Sequence, residues 1–205
     1  MLGNDDDQQQ PLDQRADSRR NRLRLVSAAR KLVAEKGIEV TAAEIAAAAD
    51  VGVATLYRRF GSKEALIRDI LIDGISEVEM AADTALVDTD AWRGFCTFFS
   101  FFSQTQVVNQ GIAEYLSAAA AISAQEEAEY HGQLLSKLQQ IVRRAHESGA
   151  LRPDVTWQDI VLLSRASVAA GHCLGVDAPA DQWQRTCALI IDGLQATHPS
   201  PLPVV

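Results

Sequence analysis

The stretch from Thr41 to Lys63, TAAEIAAAADVGVATLYRRFGSK, constrains the fold more than any other part of the chain. Thr41 can cap a helix and Glu44, three residues on, can complete a capping box. The alanine-rich run that follows favours a helix. Gly52 then predicts a tight turn and a new N-cap, followed by a second helix over about 53–59. The stretch is therefore predicted to be two short helices joined by a turn.

The second of these helices is predicted to have one apolar face and one polar face. Leu56 and Phe60 lie on the apolar face. The polar face has hydroxyl and guanidinium groups at Thr55, Tyr57, Arg58 and Arg59. Arginine can pair with phosphate or guanine, and hydroxyls reach phosphate oxygens. The pattern indicates a helix-turn-helix, whose second helix enters the major groove of DNA. An alanine-rich helical hairpin with incidental arginines is the alternative interpretation.

The residues that define this motif stand at fixed spacing. They are Gly37, the capped Thr41, V-x-x-x-T-L-Y-x-x-F at Val51 to Phe60, and S-K-E-A-L at Ser62 to Leu66. The segment from Arg19 to Leu71 resembles the DNA-binding domain of TetR-family transcriptional regulators. Two positions depart from the family pattern, since Asp50 stands where the family usually has glycine and Gly52 where it often has serine.

The resemblance implies a DNA-binding head that contacts double-stranded DNA. Lys63 is the implied phosphate contact, and Arg19 and Arg20 can hold phosphates or reach into the minor groove. The candidate DNA-binding residues are Arg19, Arg20, Thr41, Gly52, Val53, Ala54, Thr55, Tyr57, Arg58 and Lys63. A solvated basic surface is the alternative for any one of these cations.

The charge of the chain is divided unevenly along its length. Residues 15–68 contain twelve Lys and Arg against six Asp and Glu, a net charge of +6. The remaining residues contain seven against twenty-one, a net charge of −14, which gives −8 for the chain. This division predicts a basic DNA-binding module joined to an acidic body.

Helical periodicity and the absence of strand-type alternation predict an all-α fold of about nine helices. The resemblance implies that an N-terminal helix-turn-helix domain is followed by a C-terminal helical domain for effector binding and dimerisation. The predicted parts are a disordered tail at 1–14, the DNA-binding domain at 15–61, the helical domain at 62–197 and a loose tail at 198–205. The first helix is expected to begin near Ser18.

The helical domain is predicted to bind a small, largely apolar effector. A helix over about 90–106 contains WRGFCTFFSFF, whose aromatic residues face several directions, so it must be buried nearly all round. Pockets between helices are mostly apolar with few polar anchors. The candidate pocket residues are Trp92, Phe95, Phe99, Phe102, Tyr115 and His172. Plain core packing is the alternative for each aromatic residue.

The last two helices are expected at about 156–174 and 179–197. The resemblance implies that they pack against their copies in a second subunit as a four-helix bundle, which makes the protein a homodimer. The small residues of 166–171 allow close approach of helices, although the same residues also fit packing within one chain.

Other classes of protein find little support in the sequence. No apolar run reaches eighteen residues, so no membrane span is expected, and the acidic, polar N-terminus is not a signal peptide. Cys96, Cys173 and Cys187 lack metal-ligand spacing, and their odd number fits a reduced, cytoplasmic protein. No catalytic or phosphate-binding motif is present, so neither a metal, a cofactor nor enzyme activity is expected.

These patterns together predict a ligand-responsive transcriptional regulator. A repressor released from a palindromic operator is the expected form, and an activator of the same fold is the first alternative. A helical binding protein without DNA function and a small helical enzyme remain further alternatives.

Overall fold

The structure is a computed structural model that describes residues 6–118, 125–166, 172–173, 175–179, 181–197, 200 and 202–203. The chain forms two compact units, Met1–Asp73 and Gly74–Val205. The division falls within one long helix, Lys63–Val87, rather than at the predicted boundary after residue 61.

The first unit contains the predicted helix-turn-helix. Its elements are α1 (Asp6–Lys36), α2 (Ala42–Ala48), α3 (Val53–Phe60) and the first part of α4 (Lys63–Val87). Gly37 ends α1 with a φ of 78°, and the Thr41–Glu44 capping box begins α2. The Ser62 hydroxyl caps α4 by accepting from the Ala65 N–H at 3.0 Å. The core of this unit contains Leu25, Ala29, Val33, Val40, Ile45, Ala46, Ala49, Leu56, Leu66, Ile67, Ile70 and Leu71.

The first helix is longer than the sequence predicted. It was expected to begin near Ser18 after a disordered tail, but the structure continues it back to Asp6. Residues 6–14, which the sequence assigned to the tail, thus lie within α1. The overlooked signal is the acidic run that includes Asp6 and Asp7, since carboxylates are favoured in the first turn of a helix.

The turn between α2 and α3 is built differently from the prediction. Gly52 is the N-cap of α3, as predicted, but its φ of −71° and ψ of 144° do not require a glycine. The left-handed residue is Asp50, with a φ of 53°, at the position where the family usually has glycine. Aspartate tolerates this conformation better than most residues with a side chain.

The second unit is also helical. Beyond the remainder of α4, its elements are α5 (Ala91–Val108), α6 (Gln110–Ala118), α7 (Gln125–Glu147), α8 (Trp157–Ala166), β1 (His172–Cys173), β2 (Val176–Asp177) and α9 (Gln182–Leu194). The described residues thus contain nine helices, which confirms the all-α prediction. None of the described helices is both long and apolar enough to cross a membrane.

A two-stranded hairpin replaces the end of a predicted helix. The helix expected to reach residue 174 ends its described part at Ala166, and His172 pairs with Asp177 in antiparallel register. Gly175, with a φ of 78°, lies in the turn. Strands of two residues are too short to show alternation in a sequence, so this part of the prediction is wrong. Of the small-residue patch 166–171, all but Ala166 lies outside the described residues.

Helix α5 is the centre of the second unit. It packs against α6, α7, α8 and α9, which confirms that its aromatic residues are buried on several sides. Phe95, Phe98, Phe99 and Phe102 are each at most 6% exposed. Asp90 caps the helix by accepting from the Arg93 N–H at 3.0 Å.

Two arginines, Arg144 and Arg152, donate hydrogen bonds to main-chain carbonyls within the second unit. Arg144 of α7 donates to the carbonyls of Ala85, Leu86 and Asp88 at the end of α4. These bonds supply partners for carbonyls that a helix terminus leaves free.

Arg152 also fixes the C-terminal segment. This residue is 8% exposed, and its side chain binds both oxygens of Asp154 and donates to the Ser200 carbonyl. The Leu202 N–H in turn donates to Asp154 at 3.1 Å. The tail predicted to be loose at 198–205 is therefore anchored at its described residues. The bonds from Arg152 to Ser200 and from Leu202 to Asp154 each join residues 48 positions apart, so no local sequence pattern predicts them.

Candidate functional site

The face of α3 predicted to meet DNA lies on the surface. Leu56 is fully buried, whereas Val53 and Tyr57 are 39% and 48% exposed. Arg58 and Arg59 are also exposed. The helix therefore packs by one face and presents aromatic, hydroxyl and guanidinium groups on the other.

Most of the ten predicted DNA-contact residues are exposed. Those that are exposed are Arg19, Arg20, Thr41, Gly52, Val53, Ala54, Tyr57 and Arg58. Thr55 and Lys63 are half-buried, and the Lys63 Nζ lies 3.7 Å from the Oε1 of Glu64. Arg59 adds an exposed cation to α3. It was predicted to lie on the polar face but was not among the ten candidate residues.

Contacts from α1 hold α3 and its turn in place. The Arg22 guanidinium lies 5.7 Å from the centre of the Phe60 ring, a cation–π contact at the end of α3. Arg24 donates to Asp50 in the preceding turn at 2.7 Å. Arg22 and Arg24, close to the predicted DNA contacts Arg19 and Arg20 on α1, thus form contacts within the first unit.

The start of α2 is held by a hydrogen-bonded group of three residues. Thr41 N–H donates to Glu44 at 2.9 Å, Glu44 N–H donates to the Thr41 hydroxyl at 3.2 Å, and Lys36 donates to Glu44 at 2.9 Å. The Thr41 backbone N–H, and then Lys36, stabilise the carboxylate and lower the pKa of Glu44 from 4.5 to about 2. The capping box predicted from the sequence is confirmed.

The second unit contains a cavity of about 480 Å³. It lies among α5, α6, α7 and α8. The described residues that line it are Phe98, Phe102, Gln106, Leu116, Leu134, Leu135, Leu138, Val161, Leu162 and Arg165. Its wall is therefore almost wholly apolar, which suits a largely apolar ligand.

The aromatic residues of α5 form two separate rows. Trp92 stacks on Phe95 and Phe95 on Phe99, at centroid distances of 5.2 Å and 6.1 Å. Phe98 stacks on Phe102 at 5.7 Å, and this second row faces the cavity.

Only part of the predicted pocket set coincides with the cavity. Phe102 lines it, whereas Trp92, Phe95, Phe99 and Tyr115 are not among the described lining residues. The side chain of His172 lies outside what the structure describes. The row on Phe98 was missed because aromatic residues recur around the whole of α5, so periodicity does not show which row faces a cavity.

Two polar residues that line the cavity, Gln106 and Arg165, were also missed, as was Ser164, the partner of Gln106. Gln106 is 2% exposed and donates to the Ser164 hydroxyl at 3.0 Å and to the Phe102 carbonyl at 3.3 Å. Arg165 donates to the Ala113 carbonyl at 3.3 Å. The only sequence signal was the pair Ser164-Arg165 at the end of the apolar run in α8.

The described part of the chain shows neither a cluster of metal ligands nor an activated thiol at Cys96. No group of three or more potential metal ligands occurs among the residues searched. Burial raises the pKa of the Cys96 thiol to about 11, which keeps it protonated at neutral pH.

Comparison with known sequences matches both units to regulators. The family profile "Bacterial regulatory proteins, tetR family" matches residues 25–70. The profile "Transcriptional regulator SbtR-like, C-terminal domain" matches residues 90–196, which is more than half of the chain. A search of curated protein sequences finds no match.

Solved structures of similar fold include the TetR transcription regulatory protein from Mycobacterium vanbaalenii, at 25% identity and a TM-score of 0.56. That match covers 88% of this chain and 98% of the other. TetR transcriptional regulator SCO0520 from Streptomyces coelicolor is 23% identical, with a TM-score of 0.56 and coverage of 86% and 99%. The ketosteroid transcriptional regulator KstR2 of Mycobacterium tuberculosis is 21% identical, with a TM-score of 0.63 and coverage of 86% and 95%.

The two profiles cover the helix-turn-helix, with its exposed second helix, and most of the helical second unit. The observed fold agrees with both matches. The protein therefore belongs to the TetR family of DNA-binding transcriptional regulators.

Proposed function

We propose that this DNA-binding regulator is a ligand-responsive repressor that acts as a homodimer on a near-palindromic operator. The observation that supports the DNA contact most directly is the exposed face of α3. Leu56 is fully buried beneath it while Tyr57 and Arg58 point outward. A helix held in this way can enter a major groove without rearrangement of its own core.

Within that contact, Thr55, Tyr57 and Arg58 are the proposed reading residues. Val53, Ala54 and the N-cap Gly52 lie at the start of the same helix, where a recognition helix approaches base edges. Thr41 and Lys63 begin the neighbouring helices and are proposed to contact phosphates, as are Arg19 and Arg20 at the flank. The net charge of +6 over residues 15–68 favours this contact.

The effector is proposed to bind in the cavity of the second unit. Its apolar wall and its volume of about 480 Å³ suit a small, largely apolar molecule. KstR2, named as a ketosteroid regulator, has the same fold, which agrees with an apolar effector class. The effector can release DNA only by binding more tightly to a conformer that does not fit the operator.

The homodimer is proposed to form through α8 and α9. Leu162 on α8 and Leu189 on α9 are each 68% exposed, although both are large apolar side chains. Pairing of these helices with their copies would cover both. A two-fold dimer would place its two copies of α3 about one turn of DNA apart, ~34–36 Å.

The test begins with selection of bound DNA from a random pool, which reports the operator and its symmetry. Arg58→Ala should then weaken binding to that operator by ~1–3 kcal/mol if Arg58 reads a base. Arg143→Ala is the matched control, because Arg143 is an exposed arginine of the second unit. Fluorescence anisotropy at several salt concentrations would measure both variants. Unchanged affinity in Arg58→Ala would remove Arg58 from the reading set.

The sign of regulation needs a separate measurement. A promoter that contains the selected operator is placed before a reporter gene, with and without the regulator. A repressor lowers expression and its effector restores it. Higher expression with the regulator would replace the proposal by the activator alternative.

A further inference from the structure

We infer that the effector is an amphipathic acid, with an apolar body in the cavity and one carboxylate paired with Arg165. This inference rests on the proposed effector response and names the chemical class of its ligand. Three features of the cavity lead to it: an apolar wall, an internal polar pair with no donor left to offer, and a guanidinium at one side.

The apolar body of the ligand follows from the wall. Phe98 and Phe102 form one stacked side, and Leu134 and Leu138 of α7 are at most 7% exposed. The cavity volume of about 480 Å³ lies within the range of roughly 300–1,000 Å³ that is typical of small-molecule pockets. Burial of an apolar chain or ring against such a wall is favourable because it removes apolar surface from water.

The buried amide in the cavity does not offer a donor to the ligand. Gln106 has two N–H donors on its side chain. One bond runs to the Ser164 hydroxyl at 3.0 Å and another to the Phe102 carbonyl at 3.3 Å. The Ser164 hydroxyl in turn donates to the Val161 carbonyl at 2.7 Å. The described interior of the cavity therefore presents no spare donor from this pair.

Arg165 is the remaining polar residue among the described lining. Its guanidinium has five N–H donors in a planar fork, and the bond to the Ala113 carbonyl uses one of them. Arginine matches a carboxylate in a bidentate, charge-assisted pair that is stronger than a neutral hydrogen bond. The polar group of a ligand that fills this cavity should therefore be an acceptor with a negative charge.

A carboxylate fits this position better than a group of higher charge. The single guanidinium can neutralise a monoanion, while the second unit as a whole is acidic. The carboxylate would also compete with the Ala113 carbonyl for Arg165. Binding would thereby change the link between α8, which carries Arg165, and α6, which carries Ala113.

The experiment compares decanoate with decanol, which have the same apolar chain and differ in the charge of the head. Isothermal titration calorimetry on the full chain would measure both ligands. Decanoate should bind about tenfold more tightly, which corresponds to ~1.4 kcal/mol. In Arg165→Gln the two affinities should become equal, because the affinity for decanoate falls to that for decanol. Arg165→Lys should restore part of the preference, since lysine keeps the charge but lacks the fork.

Two further variants test whether the ligands bind in this cavity and whether the effect is specific to Arg165. Arg143→Gln removes an exposed arginine of α7 outside the cavity lining, and it should leave both affinities unchanged. Leu135→Trp adds bulk at the cavity wall, where Leu135 is 36% exposed, and should weaken both ligands.

Equal affinities for decanoate and decanol in the unaltered protein would overturn the inference, as would a decanoate preference that survives in Arg165→Gln. Absence of binding by both would overturn it as well. Operator binding without ligand is measured separately. Release of operator by decanol alone would therefore leave the effector response intact while rejecting the acid.

Discussion

The Arg24 guanidinium on α1 lies 2.7 Å from the Asp50 carboxylate in the turn between α2 and α3. Asp50 is also the one non-glycine residue with a positive φ, 53°, in the described part of the chain. The family usually has glycine at this position, which adopts such a conformation freely. In this protein the side chain that strains the backbone also links the turn to α1.

This relationship predicts different effects for two substitutions. Asp50→Ala should lower the free energy of unfolding by about 1 kcal/mol, since alanine disfavours the left-handed region and lacks the ion pair. Asp50→Gly should remain closer to the unaltered protein, because glycine relieves the backbone strain. Urea denaturation would measure all three proteins. An alanine variant as stable as the glycine variant would contradict the role assigned to the backbone.

Gly94, which is buried, and Gly74, which is half-buried, should differ in their tolerance of a methyl group. A Cβ at Gly94 would lie 2.6 Å from the Ala85 carbonyl oxygen, whereas at Gly74 it would meet the end of the Ile112 side chain at 2.5 Å. Backbone yields less readily than a flexible side chain. Gly94→Ala should therefore lower the free energy of unfolding by ~1–3 kcal/mol, and Gly74→Ala by less.

Gly132→Ala serves as the control for both, since Gly132 lies on α7 with nothing within 4 Å of an added Cβ. Alanine is the better helix former, by up to ~1 kcal/mol, so this variant should be slightly stabilised. Thermal unfolding would rank the three variants. The reverse order of Gly94 and Gly74 would show that the contact between Gly94 and Ala85 is looser than described.

The stability of the head should depend on pH through Glu44. The folded state lowers its pKa from 4.5 to about 2, so its contribution is present above pH 4.5 and is lost as pH falls toward 2. Glu44→Gln keeps a capping-box residue but does not titrate. Over that window the free energy of unfolding should fall more steeply in the unaltered protein than in the variant. Glu39→Gln, at an exposed carboxylate outside the capping box, should reproduce the unaltered curve.

The proposed dimer surface can be tested by introducing a charged side chain into it. Leu162→Asp or Leu189→Asp would place a carboxylate on the face of α8 or α9 that is proposed to be covered, where an unpaired charge is unfavourable. Sedimentation velocity should show a shift from dimer toward monomer, together with weaker operator binding. Met80→Asp is the matched control, because Met80 on α4 is also 68% exposed. A dimer that persists in both leucine variants would place the subunit contact elsewhere.

Local patterns predicted the DNA-binding head well. The capping box at Thr41 and Glu44, the end of α1 at Gly37 and the buried Leu56 each depend on residues within a few positions. The turn was less predictable, because the strain falls on Asp50 rather than on a glycine. A left-handed aspartate is identified by backbone angles, which residue type alone does not determine.

The cavity and the C-terminal segment depend on contacts that sequence patterns do not show. Phe98 rather than Phe95 faces the cavity because of where α7 and α8 pack against α5. Gln106 and Ser164 meet across 58 positions in the chain. Helical periodicity identifies which residues share a face, but it does not identify the helix that covers that face.

The bonds from Arg152 have a practical consequence for how the protein can be altered at its end. A chain cut after Thr197 would lose the Ser200 carbonyl and the Leu202 N–H that meet Arg152 and Asp154. The buried Arg152 guanidinium would then keep Asp154 but lose one of its main-chain acceptors, which lowers the stability of the fold. Affinity tags and fusion partners therefore belong ahead of α1, and a shortened C-terminus would be a poor choice for crystallisation.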